Sequence, residues 1–165
     1  MKSIAILGAG TWGIALAKML KHTGKQDTVW SALPNEIEEL KKTNIHPKLP
    51  NVKLPLGIDY TADLEEALND KDIIMFAVPS VFVRDTAKKC KNYIKDNQII
   101  VDVAKGIEID TLMTLTQVIN DEIKNDTVKY AALSGPTHAE EVSLDMPTTI
   151  VSACSDIEVA KLVQD

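Results

Sequence analysis

The sequence predicts an α/β protein of the Rossmann type, with a doubly wound, mostly parallel sheet and helices on both faces. Short apolar runs alternate with helical patterns along the chain, which is typical of strand–helix–strand units. Two of these runs, at 72–80 and 98–106, lack polar alternation, as expected of strands covered on both faces. A third run, at 4–7, leads directly into a glycine-rich turn and a helical pattern. The length of 165 residues indicates a single domain over 1–165.

The elements of the first half are defined by turn residues. Strand and helix patterns alternate at residues 4–7, 11–21, 28–30, 35–42 and 63–68. Gly24 ends the first helix, Pro34 leads into the second, and Thr61 is the expected cap of the third. Three prolines in residues 46–57 exclude a regular helix and predict a loop on the surface.

The second half continues the same alternation. Strands are predicted within 72–80 and 98–106, and helices within 81–94 and 112–124. Residues 130–142 and 147–156 each read as a strand followed by the start of a helix. The last pattern, 155–165, begins with a Ser155/Asp156 cap and has no C-cap signal, so we expect the sequence to be cut within a helix.

Composition limits the class of protein and its partners. There are 18 basic and 24 acidic side chains and a net charge of −6, which argues against a nucleic-acid or anionic-membrane partner. No apolar stretch approaches the roughly 20 residues of a membrane span, and the first apolar run is too short for a signal peptide. Cys90 and Cys154 lack metal-ligand spacing and are expected to be buried free thiols. We therefore expect a cytoplasmic protein without a bound metal.

The glycine turn is the first candidate binding site. Gly8, Gly10 and Gly13 form G-x-G-x-x-G between a strand and a helix. In a dinucleotide site the first glycine permits the tight turn, the second lets the backbone approach a pyrophosphate, and the third lets the helix pack on the strand. The alternative is a strand–helix turn whose glycines serve packing alone.

The acid that commonly follows such a turn is missing from its usual place. An Asp or Glu at the end of the second strand would hold the ribose 2′-hydroxyl, and an Arg would accommodate a 2′-phosphate. Asp27 precedes the predicted strand, Glu36 lies in the next helix, and Arg84 is in a different helix. Ser31 can hydrogen-bond a ribose hydroxyl but has no charge. The sequence therefore favours NAD(H), with NADP(H) as the alternative if a neighbouring lysine supplies a cation: Lys41, Lys42 or Lys48.

Several short segments together carry a family resemblance. They are GAGTWGIALA (8–17), VPS (78–80), KGIE (105–108), LSGPTHAEEV (133–142) and PTT (147–149). In this order they resemble the bacterial NAD(P)-dependent sn-glycerol-3-phosphate dehydrogenases over nearly the whole chain. The resemblance implies an oxidoreductase that interconverts dihydroxyacetone phosphate and sn-glycerol 3-phosphate for phospholipid synthesis. It leaves the oligomeric state of the full-length protein open, with a homodimer as one option. A stand-alone NAD(H)-sensing module and a dehydrogenase of another hydroxy acid are the alternatives.

The resemblance also implies roles for individual residues. Lys105 matches a lysine that faces both cofactor and substrate, and Gly135 and Thr137 match substrate-contacting positions. Two departures, Ala32 and Lys48, replace a basic and an aromatic residue of many members, which weighs against NADP(H). Further positions match cofactor contacts: Thr11, Trp12, Pro79 and Ala139.

The family has a second, all-helical domain that carries the proton-transfer lysine and an arginine for the substrate phosphate. Both would lie beyond residue 165. The chain alone is therefore expected to be inactive.

The residues themselves leave other interpretations open. Lys105 follows a buried strand, where an ammonium can stabilise a developing alkoxide, although most lysines are simply solvated. Thr137 could instead cap the next helix through the N–H of Glu140. Trp12 could cover a bound pyrophosphate or nicotinamide, or pack on a neighbouring loop. His138 is expected to cap or pack rather than act as a general acid, and the other histidines, His22 and His46, are expected at the surface.

Overall fold

The computed structural model describes residues 2–165, which form one sheet with helices on both faces. The strand order is β3-β2-β1-β4-β5-β6-β7. Neighbouring strands are parallel except β7, which runs antiparallel to β6. This confirms the predicted Rossmann-type, mostly parallel sheet. The strands are β1 (Ser3–Leu7), β2 (Gln26–Trp30), β3 (Asp59–Thr61), β4 (Ile73–Phe76), β5 (Ile99–Asp102), β6 (Lys129–Ser134) and β7 (Val151–Cys154).

The helices connect these strands. Helix α5 begins at Leu115 rather than near Leu112, because Thr114 and Gln117 form a reciprocal capping box there. A 3-10 turn, Ser80–Phe82, precedes α4. The α-helices are α1 (Thr11–His22), α2 (Pro34–Thr43), α3 (Leu64–Leu68), α4 (Val83–Cys90), α5 (Leu115–Ile123), α6 (Ala139–Ser143) and α7 (Ile157–Gln164).

The core consists of two layers, one on each face of the sheet. Successive side chains of a strand point to opposite faces. In β1, Ile4 and Ile6 pack on the face covered by α1, α2 and α7. Ala5 and Leu7 pack on the other face, against α3, α4 and α5. Burial of both faces explains the continuous apolar runs of the central strands.

Two local predictions are wrong in the region of β2 and β3. The cap of α3 is Asp63, whose carboxylate accepts the N–H groups of Glu65 and Glu66. Thr61 instead accepts the N–H of Asp63 and donates to the carboxylate of Glu66. Asp27 does not precede the second strand but lies within β2, where it is 2% exposed.

The proline-containing segment 46–57 is a loop, as predicted, but part of it is buried. Leu49, Val52 and Leu54 join the core on the α1 face. His46 is 4% exposed and accepts the N–H of Lys48 at Nδ1, so its expected place at the surface is wrong. Burial lowers the pKa of His46.

The two cysteines are free thiols. Cys90 is buried, as predicted, and burial raises its pKa to about 12. Cys154 is half-buried.

Candidate functional site

Gly8 and Gly13 are required by the packing of the first strand and helix. Gly8 has φ +127°, and a Cβ there would lie 2.7 Å from the carbonyl carbon of Ala77. A Cβ on Gly13 would lie 1.9 Å from the carbonyl oxygen of Gly8. The turn is therefore pressed against α1 on one side and the end of β4 on the other, and only glycine fits at both positions.

Packing does not explain why residue 10 is a glycine. Its φ of −66° and ψ of 175° are open to any residue, and a Cβ there would meet nothing within 4 Å. Gly10 is the N-cap residue of α1, where no side chain caps the helix and the first turn holds no acidic residue. Unpaired N–H groups at a helix start carry partial positive charge and bind anions. The residues present at this turn thus fit a diphosphate.

Trp12 connects this turn to the end of β5. Its indole Nε1 donates to the carbonyl oxygen of Val103 at 2.9 Å, and the ring packs on the core of the α1 face. The structure supports the packing role weighed for Trp12, while its contact with a cofactor stays a prediction. Thr11, half-buried at the first position of α1, lies directly beside it.

Lys105 lies against the segment 133–142, which is the other candidate site segment. Its ammonium Nζ donates to the carbonyl oxygen of Gly135 at 3.2 Å and to the hydroxyl oxygen of Thr137 at 3.1 Å. Lys105 is exposed, whereas Thr137 is buried. The predicted helix cap at Thr137 is wrong, because His138 occupies the N-cap position of α6 and no side chain caps that helix. The hydroxyl of Thr137 instead donates to the carbonyl oxygen of Gly135 at 3.4 Å, and its oxygen accepts from Lys105.

Gly135 is a glycine because of the segment that precedes β7. A Cβ at this position would lie 2.4 Å from the carbonyl oxygen of Thr149 and 3.1 Å from the Cα of Ile150. The lack of a side chain at position 135 therefore makes room for this backbone. The carbonyl oxygen of Gly135 remains directed at Lys105.

Two further predicted contacts border the same end of the sheet. Pro79 is exposed just after Ala77 and Val78, whose backbone covers Gly8. Ala139 is the first residue of α6, a helix that packs against α1. Asp145, two residues after α6, accepts a hydrogen bond from the buried Lys18 of α1 at 2.6 Å.

Ser31 is buried just after β2, and its hydroxyl already has partners. It donates to Glu36 Oε2 at 2.5 Å and accepts the N–H of Leu33 at 3.2 Å. Glu36 is the functional candidate that sequence reasoning missed, because its place in a helix appeared to remove it from the end of β2. The signal was its position in the first turn of α2, from which a side chain can reach back.

The ionisable groups around the site have defined partners. Arg84 is engaged by three carboxylates, those of Glu108, Asp121 and Glu122, at 2.6–2.8 Å. Asp102, at the end of β5, accepts the N–H of Ala104 and the hydroxyl of Thr116, and burial raises its pKa. The only arginine of the sequence is thus committed to tying α4 and α5 together.

The described part of the chain gives little support for a catalytic histidine, a metal site or a membrane span. His138 and His22 are exposed. Residues 2–165 contain no group of three His, Cys, Asp or Glu side chains arranged for a metal ion. Within the same residues, no helix combines the length and apolar character needed to cross a membrane.

A groove of about 1010 Å³ extends from this end along the α1 face of the sheet. Trp12 and Thr137 line it at the site, and Lys2 and Ile4 line it at the amino ends of the strands. Only the Trp12–Thr137 end therefore belongs to the candidate site.

Residues 3–160 match the family model described as NAD-dependent glycerol-3-phosphate dehydrogenase N-terminus. The chain belongs to this family. The family's segments 8–17, 105–108 and 133–142 are those that the fold brings to the carboxyl ends of β1, β5 and β6. Lys105 and Thr137, which contact each other, lie in two of these segments.

Individual relatives agree with this membership. A glycerol-3-phosphate dehydrogenase (NAD(P)+) of Lactobacillus delbrueckii subsp. bulgaricus is 60% identical over 100% of this chain and 50% of the relative. One of Agathobacter rectalis is 47% identical over 100% of this chain and 49% of the relative. A crystal structure of a glycerol-3-phosphate dehydrogenase from Coxiella burnetii superposes with a TM-score of 0.90 at 29% identity, over 98% of this chain and 49% of that chain. The chain spans about half the length of the curated relatives it matches.

Proposed function

We propose that this chain is the coenzyme-binding part of an NAD(P)-dependent sn-glycerol-3-phosphate dehydrogenase. The whole protein would transfer a hydride between NAD(P)H and dihydroxyacetone phosphate, giving sn-glycerol 3-phosphate. NAD(H) is the favoured coenzyme, because Ala32 offers no cation and Arg84 is engaged by three carboxylates. Family membership and the placement of Lys105 support the proposal.

Gly10 is the observation that carries the proposal. Packing alone explains Gly8 and Gly13, whose added Cβ atoms would collide with backbone, but it does not explain Gly10. The open space beside Gly10 faces the start of α1, where backbone N–H groups lack side-chain partners. A dinucleotide pyrophosphate has the charge and the acceptor oxygens that such a helix start binds.

Lys105 would lie where coenzyme and substrate meet and would contact both. The bound coenzyme would supply the hydride. The Lys105 ammonium donates to two neutral oxygens, those of Gly135 and Thr137, so neither of these contacts is with a carboxylate. It would hold the substrate oxygen by a charge-assisted hydrogen bond and stabilise negative charge that develops on that oxygen.

Gly10→Ser tests the coenzyme site without disturbing the fold. Serine is a good N-cap, because its hydroxyl oxygen accepts an N–H of the first helical turn. Those N–H groups are the donors that a pyrophosphate would use. We expect the variant to retain or raise its Tm and to bind NADH roughly tenfold more weakly or worse, a loss equivalent to one hydrogen bond to a charged group. Fluorescence titration with NADH measures the affinity, and unchanged binding in a folded variant would contradict the proposal.

The proposed hydride transfer is tested by following the absorbance of NADH over time. With dihydroxyacetone phosphate and NADH, we expect the chain alone to bind coenzyme without turnover, because the substrate contacts implied for the family's second domain are needed for the reaction. Sustained NADH consumption by the pure chain would contradict that requirement.

A further inference from the structure

A serine–glutamate pair occupies the end of β2 where an adenosine ribose would be recognised. Ser31 is 5% exposed, and its single O–H donates to Glu36 Oε2 at 2.5 Å. The same hydroxyl oxygen accepts the N–H of Leu33. Because a serine has one donor, Ser31 orients Glu36, and the half-exposed Glu36 is left as the group that can meet a ligand.

Glu36 reaches this point because of its place in α2. It is the third residue of Pro34–Thr43, and helical side chains tilt toward the helix start. The end of β2 lies next to the glycine turn, since the N–H of Gly8 donates to the carbonyl oxygen of Trp30 at 2.9 Å. Burial lowers the pKa of His46, and the Glu36 carboxylate and the Ala9 backbone oppose that shift. The carboxylate therefore lies at the same edge as the proposed pyrophosphate site.

We propose that Glu36, oriented by Ser31, is the acid that accepts the ribose hydroxyls of NAD(H) and disfavours the 2′-phosphate of NADP(H). This inference rests on the proposed coenzyme site. A carboxylate accepts hydroxyl hydrogen bonds through either oxygen and repels a phosphate, which carries about −1.5 to −2 charges. The acid that is missing from the end of β2 in sequence is thus supplied by the following helix.

The same turn occurs a second time in the chain, without a neighbouring glycine loop. Thr61 follows the pattern of Ser31, accepting the N–H two residues later and donating to the carboxylate five residues later, that of Glu66. This copy lies at the end of β3, one of the two edge strands of the sheet. Glu66→Gln therefore removes an equivalent charge and leaves an acceptor oxygen for the hydroxyl, which makes it the matched control for Glu36→Gln.

The competing determinant is Lys48. It is exposed in the loop 46–57, and its N–H donates to Nδ1 of the buried His46. A lysine in this position would attract the 2′-phosphate that Glu36 repels. Lys48→Gln separates the two effects, because it would weaken NADPH binding selectively if the lysine held the phosphate.

The experiment measures the dissociation constants of NADH and NADPH for the wild-type chain and the variants by fluorescence titration, with Tm as the folding control. For Glu36→Gln we expect the ratio of the two affinities to shift toward NADPH by at least about tenfold. Such a shift lies within the interaction energies expected for two unit charges about 4 Å apart, which increase from bulk water to the surface of a protein. Ser31→Ala should shift the ratio in the same direction by less, and Glu66→Gln should leave it unchanged.

Each contrary result has a distinct meaning. If both coenzymes bind and Glu36→Gln keeps the wild-type ratio at an intact Tm, or if Glu66→Gln shifts the ratio equally, the role of Glu36 is refuted. A selective loss of NADPH binding in Lys48→Gln, with no shift in Glu36→Gln, refutes it in favour of Lys48. If neither coenzyme binds the folded wild-type chain, the proposed coenzyme site itself fails.

Discussion

Asp27 is a buried carboxyl group whose replacement should change the pH dependence of stability. It lies in β2 at 2% exposure, and within residues 2–165 neither of its oxygens has a hydrogen-bond partner. Burial raises its pKa from 3.8 to about 7, and Lys21 opposes this only in part. The neutral, similarly sized Asn in Asp27→Asn removes the titration and keeps the side-chain volume.

The magnitude follows from proton linkage. Since the folded-state pKa is raised, the folded protein holds a proton that the unfolded chain releases between pH 3.8 and about 7. The free energy of unfolding therefore falls as the pH rises through this window, by about 1.4 kcal/mol per pH unit. Below pH 3.8 the contribution is fully present. From pH 5 to pH 8, Asp27 should cost the wild-type protein about 3 kcal/mol.

The difference between wild type and variant isolates this group. His46 and Asp102 also titrate with shifted pKa values, but both are present in the two proteins and cancel. Any fixed cost of burying the Asn amide is independent of pH and cancels when two pH values are compared. The stability of Asp27→Asn relative to wild type should rise by about 3 kcal/mol from pH 5 to pH 8.

Urea unfolding at pH 5 and pH 8 measures the change, with thermal unfolding as a second readout. For a domain of this size the relative Tm should shift by roughly 6–12 °C. Asp110→Asn, which removes an exposed carboxylate, is the control and should follow the wild-type profile. Parallel profiles of wild type and Asp27→Asn would show that Asp27 is charged or solvated in the fold, and the reasoning would be wrong.

Two further predictions concern the charged groups near the site. Lys105→Gln should keep the Tm, since Lys105 is exposed. It should weaken NADH binding by roughly tenfold if the ammonium makes a charge-assisted contact with the coenzyme. An unchanged NADH affinity in a fluorescence titration would argue against a coenzyme role of Lys105. Arg84→Gln should lower the Tm, because Arg84 holds the pKa of Glu108 down at about 2. The stability that this lowered pKa gives the wild-type protein is present above pH 4.5 and is lost as the pH falls toward 2. A Tm difference that persists unchanged at pH 2 and in high salt would contradict an electrostatic cause.

The layout of the sheet could be predicted from the sequence because it depends on local patterns. Alternating strand and helix signals define the order of elements, and the glycine turn identifies the first crossover. The bounds were less accurate where a side chain acted as a cap, as at Asp63 and Thr114. Which of several neighbouring hydroxyls and carboxylates caps a helix depends on backbone angles that one sequence does not reveal.

The contacts that assemble the site join residues far apart in the sequence. The sequence alone identifies these residues as candidates but does not show which of them touch. Gly10 differs from Gly8 in backbone angle, and from both Gly8 and Gly13 in what surrounds it, so the motif alone could not separate binding from packing. Thr149 meets Gly135 because β7 turns back antiparallel beside β6. A pattern of alternating strands and helices favours parallel pairing and gives no sign of this reversal.

The reversal at β7 bears on how Lys105 is held. Pairing of Ser134 with Val151 places the backbone of Thr149 against Gly135, which fixes the carbonyl oxygen that Lys105 binds. A side chain at position 135 would push these strands apart and move both oxygens away from the ammonium. Gly135 therefore acts on Lys105 through packing, and the exposed lysine gains a defined direction from a contact that lies on the opposite side of β6.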